Sequence, residues 1–343
     1  MRCLVIQTAF LGDVILTVPL LRILRGLDHV SGVAAVVTPA GSELLRDQGI
    51  VHEIIEYDKR GRDRGLAGFC RTTGAARRFG ADAALVPHRS FRSALLALAV
   101  GARTRVGFDT SGGRLLLTRR IPYPSGEHEA LRVAGLVEAV GGALPATGLP
   151  IELSVPAGGA AEIDGALTAA GGVGDAGVVV LAPGSAWPTK RWPAARFAEV
   201  ADALREKLGA TVVLSGSEAD APAAREVAQR ATGPVVDLTG RVSVSGWIAL
   251  IARARLLVSN DSAAAHVAAA VGTPVVAVFG PTVQAQGFAP YGARARVVEA
   301  ALDCRPCGRH GADRCPRGTL ACMLGVSSEA VVREAVDLVG VRT

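Results

Sequence analysis

Small polar residues follow an apolar strand in the second half of the chain, where Asn260-Asp261-Ser262 precede an alanine-rich helix. These residue types cap helices, and the N–H groups and positive dipole end of a helix N-terminus attract anions such as a diphosphate. The next strand, residues 275–279, leads into a loop with Gly280 and Thr282. Asp261 would repel a phosphate here, so we expect it to meet the hydroxyls of an adjoining sugar. The alternative is a capped helix in an ordinary α/β sheet with no ligand.

A second loop with binding chemistry follows the apolar strand over residues 178–182 and contains Ser185, Thr189 and Lys190. It fits neither the P-loop pattern G-x-x-x-x-G-K-[ST] nor the dinucleotide pattern G-x-G-x-x-G. Lys190 can still meet a diphosphate as a point charge, with hydroxyl hydrogen bonds from Ser185 and Thr189. The loop therefore indicates phosphate binding without a standard nucleotide motif.

Asp13 lies at the junction between loop and helix in the first strand–loop–helix unit, residues 2–25. In a doubly wound sheet, ligands bind in the crevice outside the carboxyl ends of the strands, where this junction falls. Asp13 is therefore a candidate site residue. The alternative is that it only caps the helix.

Arginines are concentrated in the first half of the chain. Residues 1–150 contain 19 Lys and Arg against 13 Asp and Glu, so they carry the whole net charge of +6, whereas the remaining residues hold 18 of each kind. The forked donors of a guanidinium match carboxylate and phosphate oxygens. For any single arginine, the alternative to ligand binding is an ordinary solvated position on the protein surface. As a group they favour an anionic substrate, and the candidate contacts are Arg60, Arg62, Arg89, Arg92 and Arg120.

Four cysteines form the pattern Cys304-x₂-Cys307-x₇-Cys315-x₆-Cys322 near the end of the sequence. Four thiolates can close the tetrahedral shell of a structural zinc ion. The spacing is loose, with a single C-x-x-C pair, so reduced thiols and facultative disulfides are the alternatives.

Strands and helices alternate in two series, with a stretch rich in Gly, Ala and Pro at residues 141–177 that we interpret as the interdomain linker and the entry to the second domain. This order predicts an α/β fold of two Rossmann-like domains facing each other across a cleft. A length of 343 residues also exceeds what a single core usually supports. The predicted segments are a first domain over 1–155, a second over 175–325 and a terminal helical segment over 326–343.

Composition excludes other classes of protein. Aromatic residues make up only 4% of the chain, which disfavours the stacking platforms that bind single-stranded nucleic acid. No uninterrupted apolar run approaches the ~20 residues of a membrane span. Gly12-Asp13 interrupts the apolar residues 4–24, and no cleavage site follows them. We therefore expect a cytoplasmic protein that contacts membranes only at their surface.

Together, these segments resemble glycosyltransferase family 9, the ADP-heptose:lipopolysaccharide heptosyltransferases. The matching segments follow the family's order along nearly the whole chain: residues 7–13, 19–22, 87–93, 182–193, 260–266, 279–282 and the cysteine cluster. The run 190–193 and the cysteines look most like heptosyltransferase II. One departure is Ser262-Ala263, where the family often has Thr-Gly. A Cβ at position 263 tightens the approach of the backbone to a phosphate.

The resemblance implies a GT-B fold with an acceptor domain, a nucleotide-sugar donor domain and a last helix that packs back on the first domain. The family's loop aspartate corresponds to Asp13, its phosphate-binding lysine to Lys190, and its donor-site aspartate and histidine to Asp261 and His266. The full predicted donor site is Ser185, Thr189, Lys190, Asp261, Ser262, Ala263, His266, Gly280 and Thr282.

The implied reaction is inverting transfer of a heptose from ADP-L-glycero-D-manno-heptose to the inner core of lipopolysaccharide. Asp13 is the implied general base, while Lys190 and the helix N-terminus stabilise the leaving ADP. No cofactor is required, and the expected partners are the donor, the acceptor and the cytoplasmic surface of the inner membrane, without nucleic acid. The alternatives are a glycosyltransferase with another nucleotide sugar or a non-lipopolysaccharide acceptor, and a zinc-containing nucleic-acid-binding protein.

Overall fold

The computed structural model describes residues 1–149 and 151–340 and divides the chain into two compact units, Met1–Glu152 and Leu153–Thr343. The boundary lies close to residue 155, the predicted end of the first domain. The second unit begins well before residue 175, because it includes part of the stretch that we interpret as a linker. Residue 150 and residues 341–343 of the predicted segments lie outside the described residues.

Six parallel strands form the sheet of the first unit: β1 (Arg2–Gln7), β2 (Gly32–Val37), β3 (Glu53–Glu56), β4 (Ala83–Val86), β5 (Thr104–Phe108) and β6 (Arg119–Ile121). Their order in the sheet is β3-β2-β1-β4-β5-β6. Strands β2 and β4 are buried along their whole length, as expected of parallel strands covered on both faces. The order reverses between β1 and β4, so the carboxyl ends of these two strands flank a crevice.

The helices of the first unit are α1 (Leu11–Ile15), α2 (Val18–Gly26), α3 (Pro39–Arg46), α4 (Gly65–Phe79), α5 (Phe91–Val100) and α6 (Glu129–Gly135). The helix of the predicted strand–loop–helix unit over residues 2–25 is two helices, α1 and α2, because Pro19 stands in the first turn of α2 and has no N–H to continue a helix from before it. The sequence interpretation missed β5 and β6. Arg119 and Arg120 lie on the edge strand β6.

The sheet of the second unit also has six parallel strands: β7 (Val178–Ala182), β8 (Thr211–Leu214), β9 (Val236–Asp237), β10 (Leu256–Asn260), β11 (Val275–Phe279) and β12 (Ala295–Glu299). Their order is β12-β11-β10-β7-β8-β9. The order reverses between β7 and β10, which places the second crevice at the carboxyl ends of these strands. Strand β12, half-buried at the sheet edge, is the one that the sequence interpretation missed.

The helices of the second unit are α7 (Ala157–Ala169), α8 (Ala194–Leu208), α9 (Ala221–Arg230), α10 (Val244–Arg253), α11 (Ala263–Val271), α12 (Ala321–Leu324) and α13 (Ser328–Leu338). Helix α7 occupies the stretch that we interpreted as a linker and packs on α10. Its glycines and alanines suggested a linker, but Ile163 and Leu167 are one turn apart and give it a buried face.

Helix α13 lies where the sequence predicts the terminal helix. It packs on α8 and beside β11 and β12, and Val331 and Val332 join the core around Phe197. These contacts tie α13 to the second unit. Its predicted packing on the first domain stays a prediction.

Each unit has its own core on its own sheet. Leu4, Ile6 and Val36 are fully buried in the first, as are Val258 and Val276 in the second. The two predicted Rossmann-like domains are therefore confirmed as two separate parallel-sheet units. Within the described ranges, no helix combines the length and the apolar character needed to cross a membrane.

Candidate functional site

The crevice of the second unit brings together two loops that lie far apart in the sequence. Strand β7 ends at Ala182 and leads into the loop with Lys190, while β10 ends at Asn260 and leads into α11. The two strands are hydrogen-bonded neighbours, with Ser259 paired to Ala182. Because their carboxyl ends lie side by side, both loops emerge at the same edge of the sheet, as the sequence predicts.

An ion pair joins these two loops. Lys190 Nζ donates to Asp261 Oδ2 at 2.5 Å, and the side chains are 12% and 6% exposed. The Thr282 hydroxyl donates to the same oxygen at 2.6 Å and comes from the loop after β11. Three segments therefore converge on a single carboxylate oxygen.

This ion pair changes the expected roles of its two members. The sequence interpretation gave Lys190 to a diphosphate and Asp261 to sugar hydroxyls, each acting separately. In the structure the ammonium neutralises the carboxylate, and this removes the repulsion that Asp261 alone would exert on a phosphate beside it. An ammonium has three donors, so Lys190 can bind Asp261 and a ligand oxygen together.

Asn260 holds the Lys190 loop in place. Its fully buried side chain donates to Pro183 O at 2.8 Å and accepts from the Trp192 backbone N–H at 3.0 Å. Both ends of the 183–192 loop are thereby tied to β10. The sequence suggested Asn260 as a capping residue, but its amide binds the neighbouring loop.

The N-terminus of α11 is the predicted anion site. Ser262 occupies the N-cap position with extended backbone, yet within the described residues it makes no side-chain capping hydrogen bond. Ser262 and Ala263 are partly exposed, so a ligand can reach the first turn. His266 is buried, with 7% of its surface exposed, and its predicted support of a phosphate stays a prediction.

Other predicted donor-site residues have structural partners. The Thr189 hydroxyl binds the backbone of Ala312, accepting from its N–H at 2.8 Å and donating to its carbonyl at 2.9 Å. These bonds hold the Thr189 loop in place, and the predicted diphosphate contact of Thr189 stays a prediction. Gly280 is required by packing, because a Cβ there would lie 2.1 Å from the Met323 sulfur. Ser185 is buried, and its carbonyl accepts from Arg191 Nε at 2.9 Å.

In the first unit, Asp13 lies at the carboxyl end of β1. It is the third residue of α1, and its Oδ2 accepts from the Phe10 backbone N–H at 3.1 Å. The Thr17 hydroxyl donates to the Asp13 carbonyl at 2.7 Å. The carboxylate thus caps α1 from inside the helix, which fixes its orientation while it stays partly exposed. The capping interpretation and a role in the crevice are compatible.

A cluster of hydroxyl and imidazole groups, missed by the sequence interpretation, lies at this edge of the first sheet. Thr8 Oγ1 lies 3.3 Å from both His88 Nδ1 and Ser93 Oγ, and His88 Nδ1 lies 3.0 Å from Ser93 Oγ. Lys59 Nζ donates to Thr8 at 3.4 Å. Thr8 lies just after β1 and His88 just after β4, and these positions are the signal that would have found the cluster.

Lys59 stands among charged neighbours. Burial lowers the pKa of Lys59, and the guanidinium groups of Arg60 and Arg92 lower it further, whereas Asp13 acts in the opposite direction. These residues therefore lie close together in one electropositive region. Such a region suits an anionic ligand group.

The loop that presents Lys59 and Arg60 is held by two aspartates. Asp58 accepts from the backbone N–H groups of Gly61 and Arg62, each at 2.9 Å. Asp63, only 4% exposed, accepts from the Asp58 N–H at 3.1 Å. The Arg60 guanidinium stacks on the Phe10 ring, 5.2 Å from its centroid. The segment that carries the predicted acceptor contacts Arg60 and Arg62 is therefore a turn fixed by hydrogen bonds.

Three of the predicted acceptor arginines differ in their surroundings. Arg62 is largely exposed and pairs with Glu56 at 3.5 Å, and Arg120 is exposed on β6. Arg89 stacks on the Tyr123 ring, 3.8 Å from its centroid. Burial raises the pKa of Tyr123 to about 12, reinforced by the Glu129 carboxylate, to which its hydroxyl donates at 2.5 Å.

All four cysteines of the C-terminal cluster are free thiols. Burial raises the pKa of Cys322, whereas backbone N–H groups, that of Leu320 first, lower the pKa of Cys315. Among residues 1–149 and 151–340, no three His, Cys, Asp or Glu side chains converge in a way that could hold a metal ion. The thiols as arranged do not fit the zinc site that their spacing suggested.

Residues 72–314 match the sequence profile of a family described as glycosyltransferase family 9 (heptosyltransferase). The chain is similar to lipooligosaccharide heptosyltransferase 2 of Haemophilus influenzae, with 35% identity over 115 residues, which are 32% of this chain and 33% of that protein. The aligned part thus spans about a third of that relative. The chain is also similar to lipopolysaccharide heptosyltransferase 1 of Pseudomonas aeruginosa, with 28% identity over 324 residues, which are 90% of this chain and 86% of that protein.

The fold is similar to the crystal structure of a family 9 glycosyl transferase from Veillonella parvula. The TM-score is 0.85 with 26% sequence identity, and the match covers 98% of this chain and 97% of that chain. The resemblance inferred from the sequence motifs is confirmed by these similarities. None of these four similarities supports the nucleic-acid-binding alternative.

Proposed function

The chain belongs to glycosyltransferase family 9, the heptosyltransferases, and we propose that it transfers a heptose from ADP-L-glycero-D-manno-heptose to the inner core of lipopolysaccharide. The observation that carries this proposal is the convergence of Lys190, Asp261 and Thr282 beside the N-terminus of α11. Relatives named as lipooligosaccharide and lipopolysaccharide heptosyltransferases support the class of sugar transferred and the class of acceptor.

The second unit is the proposed donor side. The ADP diphosphate binds between the ammonium of Lys190 and the N–H groups of the first turn of α11. Asp261 keeps its hydrogen bonds to Lys190 and Thr282 on one oxygen, and its other oxygen accepts from heptose hydroxyls. When the bond between the anomeric carbon and the phosphate oxygen breaks, the negative charge that develops on ADP is stabilised by Lys190 and the helix N-terminus.

The first unit is the proposed acceptor side, with Asp13 as general base. Asp13 takes the proton of an acceptor hydroxyl as that oxygen attacks the anomeric carbon of the heptose. The new glycosidic bond forms on the face opposite the departing ADP, so the anomeric configuration is inverted. The hydrogen bond from Phe10 N–H to Oδ2 fixes the carboxylate and supports the base assignment.

The acceptor is acidic, because its inner-core sugars carry carboxylates and phosphates. We assign its recognition to Lys59 and to the predicted arginines, of which Arg60 and Arg92, together with Asp13, influence the pKa of Lys59 electrostatically. The net charge of the first half of the chain agrees with this assignment. An enzyme that acts on a membrane-bound acceptor must reach the membrane surface, so the proposal includes a cytoplasmic protein with peripheral contact at the inner membrane surface. The scheme uses no cofactor.

A second candidate is the same chemistry with another nucleotide sugar or a non-lipopolysaccharide acceptor. It is favoured by Ser262-Ala263, since the family often has Thr-Gly at these positions and Ala263 opens the helix that receives the diphosphate. A panel of ADP-, UDP- and GDP-sugars, each incubated with truncated core acceptors and followed by mass spectrometry, separates the two. Product from ADP-heptose alone supports the heptosyltransferase, whereas product from a different donor alone overturns it.

A further inference from the structure

Arg305 is a buried cation that binds the backbone of the loop after β11. Its guanidinium donates from Nη1 to Ala300 O at 2.5 Å and from Nη2 to Thr282 O at 2.6 Å. Its Nε donates to Gly280 O. Nη2 also pairs with Glu299 at 2.6 Å, and the arginine side chain is only 4% exposed. One side chain therefore fixes the carbonyls at both ends of the Gly280–Thr282 turn.

The carbonyls that Arg305 binds belong to a loop of the donor site. Thr282 donates its hydroxyl to the Asp261 oxygen that also receives Lys190. A second bond ties the same turn to the arginine's own segment, since the Cys307 N–H donates to Pro281 O at 2.9 Å. Displacement of this turn would move the Thr282 hydroxyl and change the hydrogen bonding of the Asp261 carboxylate.

The segment that carries Arg305, residues 304–312, also holds the Lys190 loop. Ala312 exchanges two hydrogen bonds with the Thr189 hydroxyl, and the Thr189 N–H donates to Ala312 O at 3.1 Å. Gly311 packs so closely on the neighbouring loop that a Cβ there would lie 3.0 Å from Lys190 Cγ. The segment thus contacts the loops of both Lys190 and Thr282.

We propose that Arg305 is a positioning residue for donor binding, holding the Gly280–Thr282 turn so that Thr282, Asp261 and Lys190 present their polar atoms to the diphosphate and sugar of the donor. The nature of the donor rests on the proposed function, whereas the positioning of the turn does not. Arg305 acts through backbone carbonyls and touches no substrate. Arginine suits this role because its planar guanidinium spreads five N–H donors over three nitrogens in a fixed fork, whereas the three donors of a lysine ammonium all leave from one atom.

The test compares Arg305→Lys and Arg305→Gln with Arg296→Gln, an exposed arginine on β12 whose guanidinium binds carbonyls of its own segment. ADP binding is measured by calorimetry, and the KM values for donor and acceptor are measured by steady-state kinetics. Amide hydrogen exchange is followed on peptides that cover residues 279–283 and 188–191. Thermal unfolding shows whether each variant is folded.

We expect Arg305→Gln to weaken ADP binding about tenfold or more and to raise the donor KM, because a small misplacement of binding groups is costly. In Arg305→Gln, amide hydrogen exchange in residues 279–283 should be faster than in the wild type, and the acceptor KM should be unchanged. Arg305→Lys should lie between the wild type and Arg305→Gln in ADP affinity, donor KM and exchange rate. Arg296→Gln should match the wild type in all of these.

Equal ADP affinity and equal exchange at 279–283 in a folded Arg305→Lys or Arg305→Gln would overturn the positioning role, even if transfer by the wild type is demonstrated. If Arg305→Gln does not fold, the same measurements on Arg305→Lys and Glu299→Gln decide the question. Glu299→Gln removes the negative charge that pairs with the Arg305 guanidinium. If the wild type binds no ADP, the proposed donor is wrong, and the exchange at 279–283 still tests the positioning of the turn.

Discussion

Asp261→Asn is the substitution that tests the Lys190–Asp261 ion pair most sharply. Asparagine keeps the size of the side chain and an oxygen that can accept from Thr282, but it removes the negative charge. Lys190, with only 12% of its side chain exposed, is then left as a buried ammonium without its counter-ion. Breaking a buried pair in this way costs about 3–5 kcal/mol of unfolding free energy.

We expect the lower end of that range, about 3 kcal/mol, because the Thr282 hydrogen bond can persist and some water reaches Lys190. For a unit of this size, 1 kcal/mol corresponds to roughly 2–4 °C in melting temperature, so Tm should fall by about 6–12 °C. All three tryptophans, Trp187, Trp192 and Trp247, lie in the second unit. Their fluorescence therefore reports the unfolding of the unit that contains the pair.

The matched control is Asp164→Asn, which breaks an ion pair with Arg253 in the same unit. Those side chains are 60% and 50% exposed, so the loss should be about 0–1 kcal/mol. The double variant Lys190→Met with Asp261→Asn should lose less unfolding free energy than the two single variants lose in sum. We expect this difference to be at least about 1 kcal/mol. If Asp261→Asn lowers stability no more than Asp164→Asn does, the pair is not the buried interaction described above.

Three further predictions concern the first unit. Asp13→Asn, which can still accept from Phe10 N–H, should lower kcat by about 10²–10⁴-fold through loss of the base; turnover close to that of the exposed control Asp28→Asn would contradict this. Lys59→Met should raise the acceptor KM and leave the donor KM unchanged, with exposed Lys207→Met as its control; equal acceptor KM values would refute the anionic contact. Because the folded pKa of Tyr123 is raised to about 12, the stability it contributes is fully present below about pH 10 and is lost as pH rises through 12. The difference in absorbance at 295 nm between wild type and Tyr123→Phe should stay flat through pH 10. A rise in this difference at pH 10 would mean that the pKa of Tyr123 is not raised and would contradict the prediction.

The positions of the two crevices could be predicted from sequence because they follow from strand order. The apolar runs before Asp13, Lys190 and Asp261 mark buried parallel strands, and loops at the carboxyl ends of such strands meet. What the sequence could not supply is the pairing of Lys190 with Asp261. The two residues lie 71 positions apart, and each alone has a sensible separate role.

The missed elements are short, partly exposed or unusual in composition. Strand β6 has three residues, Arg119–Ile121, of which two are exposed arginines, so no alternation of polar and apolar residues marks it. Helix α7 is rich in Gly and Ala and resembled a linker until Ile163 and Leu167 were seen to pack. Arg305 and Lys59 were hidden because their roles depend on partners from other segments.

The most direct test of the proposed activity is one reaction: purified protein, ADP-heptose and a lipopolysaccharide core acceptor truncated just before heptose addition, with Asp13→Asn in parallel. We expect the acceptor to gain the mass of one heptose residue, with one ADP released per transfer and inverted anomeric configuration in the product. The Asp13→Asn reaction should give little product under the same conditions. No mass gain with ADP-heptose, alongside transfer from another nucleotide sugar, would contradict the proposed function.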